Sequence, residues 1–280
     1  MQGVPEAFDD PLDAAQFRRP AHRPGVELYR AHIVRHAFEP HTHEAFGLGA
    51  IEAGVERFRY RGAEHLAPAD SLVLMNPDEL HTGRAETDGG WRYRMIYIEP
   101  GLVERISGER GWWFGQAVSH DAARARRVGA LLARLWSCDD PLAFDSLLAT
   151  LIGEFRVHAR AARPAASEGA LRFARVIEYM RAHLGRTLRL EELAAVAGLS
   201  PFHFLRRFQA THHATPQQML MALRLYDAKD RLARGDAPAQ VAAAVGLADQ
   251  AHLTRAFVRR YGVTPGRYRA MARPAPRHSR

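Results

Sequence analysis

The sequence predicts an α+β chain of two domains. The first is an N-terminal β-barrel with an appended αα-hairpin; the second is all-α, with two helix-turn-helix motifs joined by a linker helix. Three observations predict it. Between residues 26 and 100, short segments alternate apolar and polar positions between recurring turn residues. From Asp121 onward the apolar period becomes helical. Residues 191–268 then read as one motif written twice: Arg206, Phe208, Thr215 and Pro216 recur, at a constant offset of 49, as Arg255, Phe257, Thr264 and Pro265.

Taken in order, residues 1–25 mix Pro, Asp and Arg without periodicity and are expected to form a loose arm. Residues 26–118 make the barrel. Arg57 to Arg61 and Trp91 to Ile98 have the strand period, Ser71 to Met75 is an apolar run of strand length, and Gly54, Gly62, Pro68 and Gly89-Gly90 supply turns. Within this region His41 and His43 lie two apart, on one face of an extended segment, and His81 follows some forty residues later. Three neutral imidazoles can form a divalent-metal site; without a carboxylate at matching spacing, they also suit a pocket wall that hydrogen-bonds a ligand, or the mouth of the barrel. Spacing alone leaves these open.

Residues 119–162 are expected to form a helical hairpin. Val128, Leu131, Leu132, Leu135 and Trp136 make one stripe, and Phe144, Leu147, Leu148, Leu151, Ile152 and Phe155 make another, with Asp139-Asp140-Pro141 between. Residues 163–169 are the linker candidate. In the C-terminal domain, 170–272, each motif has an Ala-rich helix, then Gly-Leu (Gly198-Leu199, Gly246-Leu247), a capping Ser200 or Asp249, and a second helix. Four and eight positions past each cap stand Phe204 and Phe208, or Leu253 and Phe257, on the inward face. The other face carries Phe202, Leu205, Arg206 and Gln209 in one copy, and Gln250, Ala251, Thr254 and Arg255 in the other. The linker helix, 216–234, would span ~28 Å, close to the ~34 Å between successive major-groove faces of B-DNA. A basic tail, 273–280, follows.

The charge distribution points the same way. Residues 170–280 hold 19 basic and 7 acidic residues, against 20 and 24 before them. A polyanion partner for the back half fits that asymmetry. The lone Cys138 excludes a disulfide framework and a thiolate metal cluster. With no apolar run near the ~18 residues of a bilayer span, and no basic-then-apolar leader, a soluble cytoplasmic protein is expected.

Residues of about 170 to 270 resemble the DNA-binding domain of the AraC/XylS family of bacterial transcription regulators. The likeness rests on Leu193-Ala194, Gly198-Leu199-Ser200, Phe204, Phe208, Thr215-Pro216, Arg224, Leu232, Val241-Ala242, Val245-Gly246, Phe257, Gly262, Thr264-Pro265 and Tyr268-Arg269. Residues 30 to 100 resemble the cupin-like sensor domain found ahead of it, through His41-Thr42-His43 and the segment Asn76-Pro77-Asp78-Glu79-Leu80-His81. The resemblance implies base contacts at Gln250, Ala251, Thr254 and Arg255 in the second motif, with His252 at a phosphate. In the first motif it implies contacts at Phe202, Leu205 and Arg206, with His203 and Arg207 on the backbone. It also implies dimerisation through the hairpin. Promoter DNA, a small effector, a second copy of the chain and RNA polymerase are the expected partners, with no membrane.

Metal-dependent cupin enzymes carry a Glu a few residues beyond the His pair; here Gly47 and Leu48 stand there. The expectation is therefore a regulator, not an enzyme. No cofactor is required, and His41, His43 and His81 are the candidate effector or divalent-metal site. The competing readings are a metal-dependent cupin enzyme fused to a helical interaction domain, and an architectural DNA binder indifferent to effectors.

Overall fold

The computed structural model describes Phe8, residues 10–159 and residues 168–272, the side chains of 168–170 excepted. Most of the expected linker and the basic tail lie outside the described residues.

Among the described residues, nine antiparallel strands build the N-terminal domain: β1 (Ala14–Arg18), β2 (Val26–Ile33), β3 (Phe38–His41), β4 (Phe46–Tyr60), β5 (Ala63–Pro68), β6 (Leu72–Met75), β7 (His81–Ala85), β8 (Trp91–Ile98) and β9 (Val118–Ser119). The path β1-β2-β8-β4-β6-β9 forms one leaf, while β5 and β7 pair with the second half of β4, and β3 pairs with β7. The long β4 thus belongs to both leaves, and the alternation of its side chains sends Glu56, Phe58 and Tyr60 inward. One expectation is corrected here. Residues 14–18 of the expected loose arm are strand β1, whose register on β2 sets Ala15 and Phe17 inward. Two apolar residues at period two were enough to anchor an edge strand, too few to read as a pattern.

Helix α1 (Pro100–Ser107) and the hairpin of α2 (Ala122–Ser137) and α3 (Pro141–Arg156) cover the outer face of the first leaf. Asp121 and Asp140 cap the two hairpin helices through their carboxylates. Their apolar stripes are consumed there: Val128, Leu132, Phe144, Leu148, Leu151 and Phe155 pack on Leu48, Leu72 and Ile96. Leu142 stays exposed.

The C-terminal domain runs α4 (Glu168–Ala182), α5 (Leu190–Val196), α6 (Pro201–His212), α7 (Pro216–Arg234), α8 (Pro238–Ala244), α9 (Gln250–Tyr261) and α10 (Pro265–Ala272). Both turn glycines take positive φ, 63° at Gly198 and 72° at Gly246. At Gly246 a Cβ would stand 2.5 Å from the carbonyl oxygen of Leu184, so only glycine fits there. Thr215 starts α7 with a reciprocal capping box to Gln218.

The hydrophobic core does not divide between the domains as the sequence does. The first motif has its own core, built on Phe173, Phe204, Phe208 and Leu223. The second motif shares one with the barrel interior: Leu253, Phe257, Tyr261 and Tyr268 are continuous with Phe17, Tyr29, Phe38 and Met95. At that seam Lys229 of α7 is 3% exposed and pairs with the buried Glu27 of β2, which also accepts from Tyr268 at 2.6 Å and from Arg19 at 2.8 Å. Rings of Phe17, Tyr97, Tyr261 and Tyr268 surround its ammonium at 4.8 to 5.5 Å. Burial alone would raise the Glu27 carboxyl, but Lys229 and Arg19 hold it well below the usual range. Among the described residues no helix is long and apolar enough to cross a membrane.

Candidate nucleic-acid interface and effector pocket

Helices α6 and α9 are the second helices of their motifs, capped by Ser200 and by Asp249, whose carboxylate accepts from the amide of His252 at 2.6 Å. Phe204, Phe208, Leu253 and Phe257 are buried, so the opposite faces turn outward. On α6, Phe202 is 64% exposed and carries the Arg206 guanidinium over its ring at 5.7 Å. It takes no part in the core. His203, whose Nδ1 lies 2.9 Å from Ser200 Oγ, and Arg207 are also exposed, and Leu205 is half-buried. On α9, Gln250 and Arg255 are exposed, and Ala251 and His252 half-buried. Thr254 departs from the outward placement expected of it. It is 7% exposed, and its hydroxyl donates back to the Gln250 carbonyl at 2.8 Å.

The three histidines converge as their spacing suggested. His41 and His81 face each other across the β3–β7 ladder, and His43 enters from the segment after β3. Ring centroids lie 4.2 to 5.2 Å apart, and one ligand atom from each falls within 4.8 Å of the others. Nδ1 of His41 donates to the Glu39 carbonyl at 2.8 Å and Nδ1 of His81 to that of Glu79 at 3.2 Å, which leaves both Nε2 lone pairs facing inward. His43 Nε2 is buried without a partner. Burial holds all three imidazoles neutral, His81 at about 4 and the others well below their ordinary value. Neutral nitrogens with open lone pairs are what a metal ion needs.

The sequence reading missed the rest of this pocket. Glu56 lines it, and burial pushes its carboxyl up to about 8. The strand period running back from Tyr60 through Phe58 was the available signal. Arg57 and Arg59, the alternate residues of the same strand, turn away; Arg57 is paired with Glu64 and Glu86 outside. Arg260 and Tyr261, the last residues of α9, close the pocket from above. Arg260 donates to the Pro40 carbonyl at 3.1 Å and pairs with Glu39 at 2.8 Å, and the Tyr261 ring lies 6.1 Å from that of His41. The enclosed space is about 40 Å³, room for an ion and a water or two.

A paired helix-turn-helix unit behind a ligand pocket defines a DNA-binding transcription regulator with an N-terminal ligand-binding domain. Comparison with known proteins agrees. The family described as AraC-like ligand binding domain matches residues 23–152, and the one described as Helix-turn-helix domain matches residues 193–271, together about three-quarters of the chain. The chain belongs to the AraC family of transcriptional regulators. It is 26% identical over 235 residues to the HTH-type transcriptional regulator YbfI of Bacillus subtilis, covering 81% of this chain and 86% of that one. Over 107 residues it is 38% identical to the MmsAB operon regulatory protein of Pseudomonas aeruginosa, covering 38% of this chain and 35% of that protein. Its fold matches that of apo ToxT from Vibrio cholerae with a TM-score of 0.60 at 11% identity, over 90% of this chain and 99% of that one.

Proposed function

We propose that this regulator responds to a small effector in the barrel pocket and passes its occupancy directly to the second recognition helix. One observation carries the reading: the C-terminal end of α9 forms the roof of the pocket whose floor holds the three histidines. An occupant that moves Tyr261 or Arg260 moves the helix bearing Gln250 and Arg255. Such coupling works through different affinities for two arrangements of the chain.

His41, His43 and His81 would hold a divalent transition-metal ion, which would present an open coordination position to an effector. ToxT from Vibrio cholerae is described with an unsaturated fatty acid bound. Three imidazoles and Glu56 around a space of about 40 Å³ suit an ion and a small polar ligand better than an acyl chain. The working unit we infer is a cytoplasmic homodimer acting at promoter DNA with RNA polymerase, and a regulator without turnover. Leu142 and the outer side of the hairpin are the surface left for pairing.

The test is fluorescence anisotropy of the full chain on DNA from upstream of its own and neighbouring genes, with and without added zinc, across a salt series. The reading expects selective binding that zinc shifts in the wild type and leaves unshifted in His41→Ala. Equal affinity for every fragment, unmoved by zinc, would sink it.

A further inference from the structure

We propose that the cleft between the barrel and the first helix-turn-helix motif is a second small-molecule site, taking an uncharged molecule with an amide-like edge and an apolar body. The cleft has a volume of about 400 Å³, within the range of small-molecule pockets and far larger than that of the barrel pocket. Thr42 and Leu80 form its barrel side; Ile177 and Arg181 of α4, His212 of α6 and Leu223 of α7 form the other. Beside it the domains touch closely. A Cβ on Gly62 would stand 2.6 Å from the His213 ring.

Three residues that line this cleft each carry a buried polar atom with no partner: Thr42 Oγ1, Arg181 Nε and His212 Nε2. Thr42 is 1% exposed. Arg181 spends its terminal nitrogens on Glu44 and Asp78, while Glu178 lies 3.8 Å from Nε, beyond hydrogen-bond reach. The His212 ring is packed on Phe173 and Phe208, and burial brings it to about 4, so it stands neutral. Buried polar groups left unsatisfied are costly, and their concentration at one cavity marks what an occupant would supply.

The pattern of those groups defines the ligand. Arg181 Nε only donates, so the ligand must offer an acceptor; Thr42 and neutral His212 both take and give. The charged lining is Asp78, Glu79 and Glu178 against Arg61 and Arg181, which disfavours an anion. A cation brings no acceptor for Arg181. A carboxamide or lactam edge, over the apolar floor of Leu80, Ile177 and Leu223, carries both the acceptor that Arg181 needs and a donor for Thr42 or His212. The site is separate from the barrel pocket, yet shares a peptide with it. Along 41–43, His41 and His43 line the barrel pocket while Thr42 between them lines the cleft. A molecule held there ties the sensor to the first motif.

Saturation-transfer NMR on the full chain tests this with benzamide, benzoate and benzylamine, matched in size and differing in charge. Benzamide is expected to bind most tightly. Thr42→Val, which removes an unpaired hydroxyl and so keeps the fold, is expected to weaken it about tenfold. Ala174→Trp, at an exposed position on the cleft wall, is expected to abolish it, and Glu56→Gln, inside the barrel, to leave it unchanged. The proposal is overturned if benzamide fails to bind the wild type, or if benzoate or benzylamine binds better. It is overturned equally if both cleft variants bind normally, or if only Glu56→Gln loses binding. Should Thr42→Val fail to fold, Ala174→Trp decides alone. None of these outcomes bears on DNA binding, so the regulator reading stands or falls separately.

Discussion

At the scale of single residues, Arg255 and Arg206 carry the clearest expectation. Both are exposed on the outward faces of α9 and α6, and an arginine fork reads guanine in the major groove. Arg255→Ala is expected to cost ~1–3 kcal/mol at one base position and to relax specificity there, as measured by anisotropy on single-base variants of the bound site. Thr254→Val is expected to change base preference little, since its hydroxyl is already committed to Gln250. Glu56 gives a pH signature. Its folded pKa is raised to about 8 against an ordinary value of 4.5, so the native state holds the proton more tightly. That contribution is complete below about pH 4.5 and is lost as pH rises through 8. The buried histidines act oppositely, their contribution being lost below about 6.5, so above 6.5 Glu56 stands apart from them. Between pH 6.5 and 8 metal-free wild type is expected to lose up to ~1.4 kcal/mol per pH unit relative to Glu56→Gln in urea unfolding. Parallel curves would refute it. Arg255 was legible because helical period fixes which face it occupies. Glu56 was not, because its inward direction depends on strand register, and one residue of slip reverses every side chain.

At the scale of elements, the caps and turns were the most readable part of the chain. Ser200, Thr215, Asp249, Gly198 and Gly246 act locally, within a few bonds of the residues that announce them. Thr215→Ala is expected to lower stability by ~1 kcal/mol through loss of the α7 capping box, read as a lower urea midpoint at unchanged slope. The contact between β3 and α9 was invisible beforehand, because Glu39 and Arg260 stand far apart in sequence. Glu39→Ala leaves Arg260 its bond to Pro40 while removing its carboxylate and that of Arg259. It is expected to raise DNA affinity in the absence of effector and to shrink the response to zinc; unchanged affinity in anisotropy would show that β3 does not restrain the helix.

At the scale of the molecule, the sequence divides the chain at residues 163–169, whereas the core divides it elsewhere. The second motif is fused to the barrel interior and the first is not. Composition and period cannot show this, since both halves of the shared core are ordinary amphipathic elements until they meet. One consequence is cooperative. Tyr268→Ala, which empties a site between Phe17, Phe257 and Glu27, is expected to cost 3–5 kcal/mol or more, as large aromatic truncations do. Hydrogen exchange is expected to report the loss in β1, β2 and α9 together while α5 and α6 keep their protection. Loss confined to α9 and α10 would mean that the halves unfold separately.

Lys229 is the sole lysine of the chain, and it lies at the seam between the halves, walled in by four rings and a carboxylate. While the seam is closed, the ammonium of Lys229 is shielded from an acylating reagent. Each opening of the seam uncovers it. The chain thus carries a single-site chemical clock for its own conformational change, read by mass spectrometry as the rate at which one residue becomes modified, with and without effector or DNA. That rate would report the balance between closed and open arrangements without any added label.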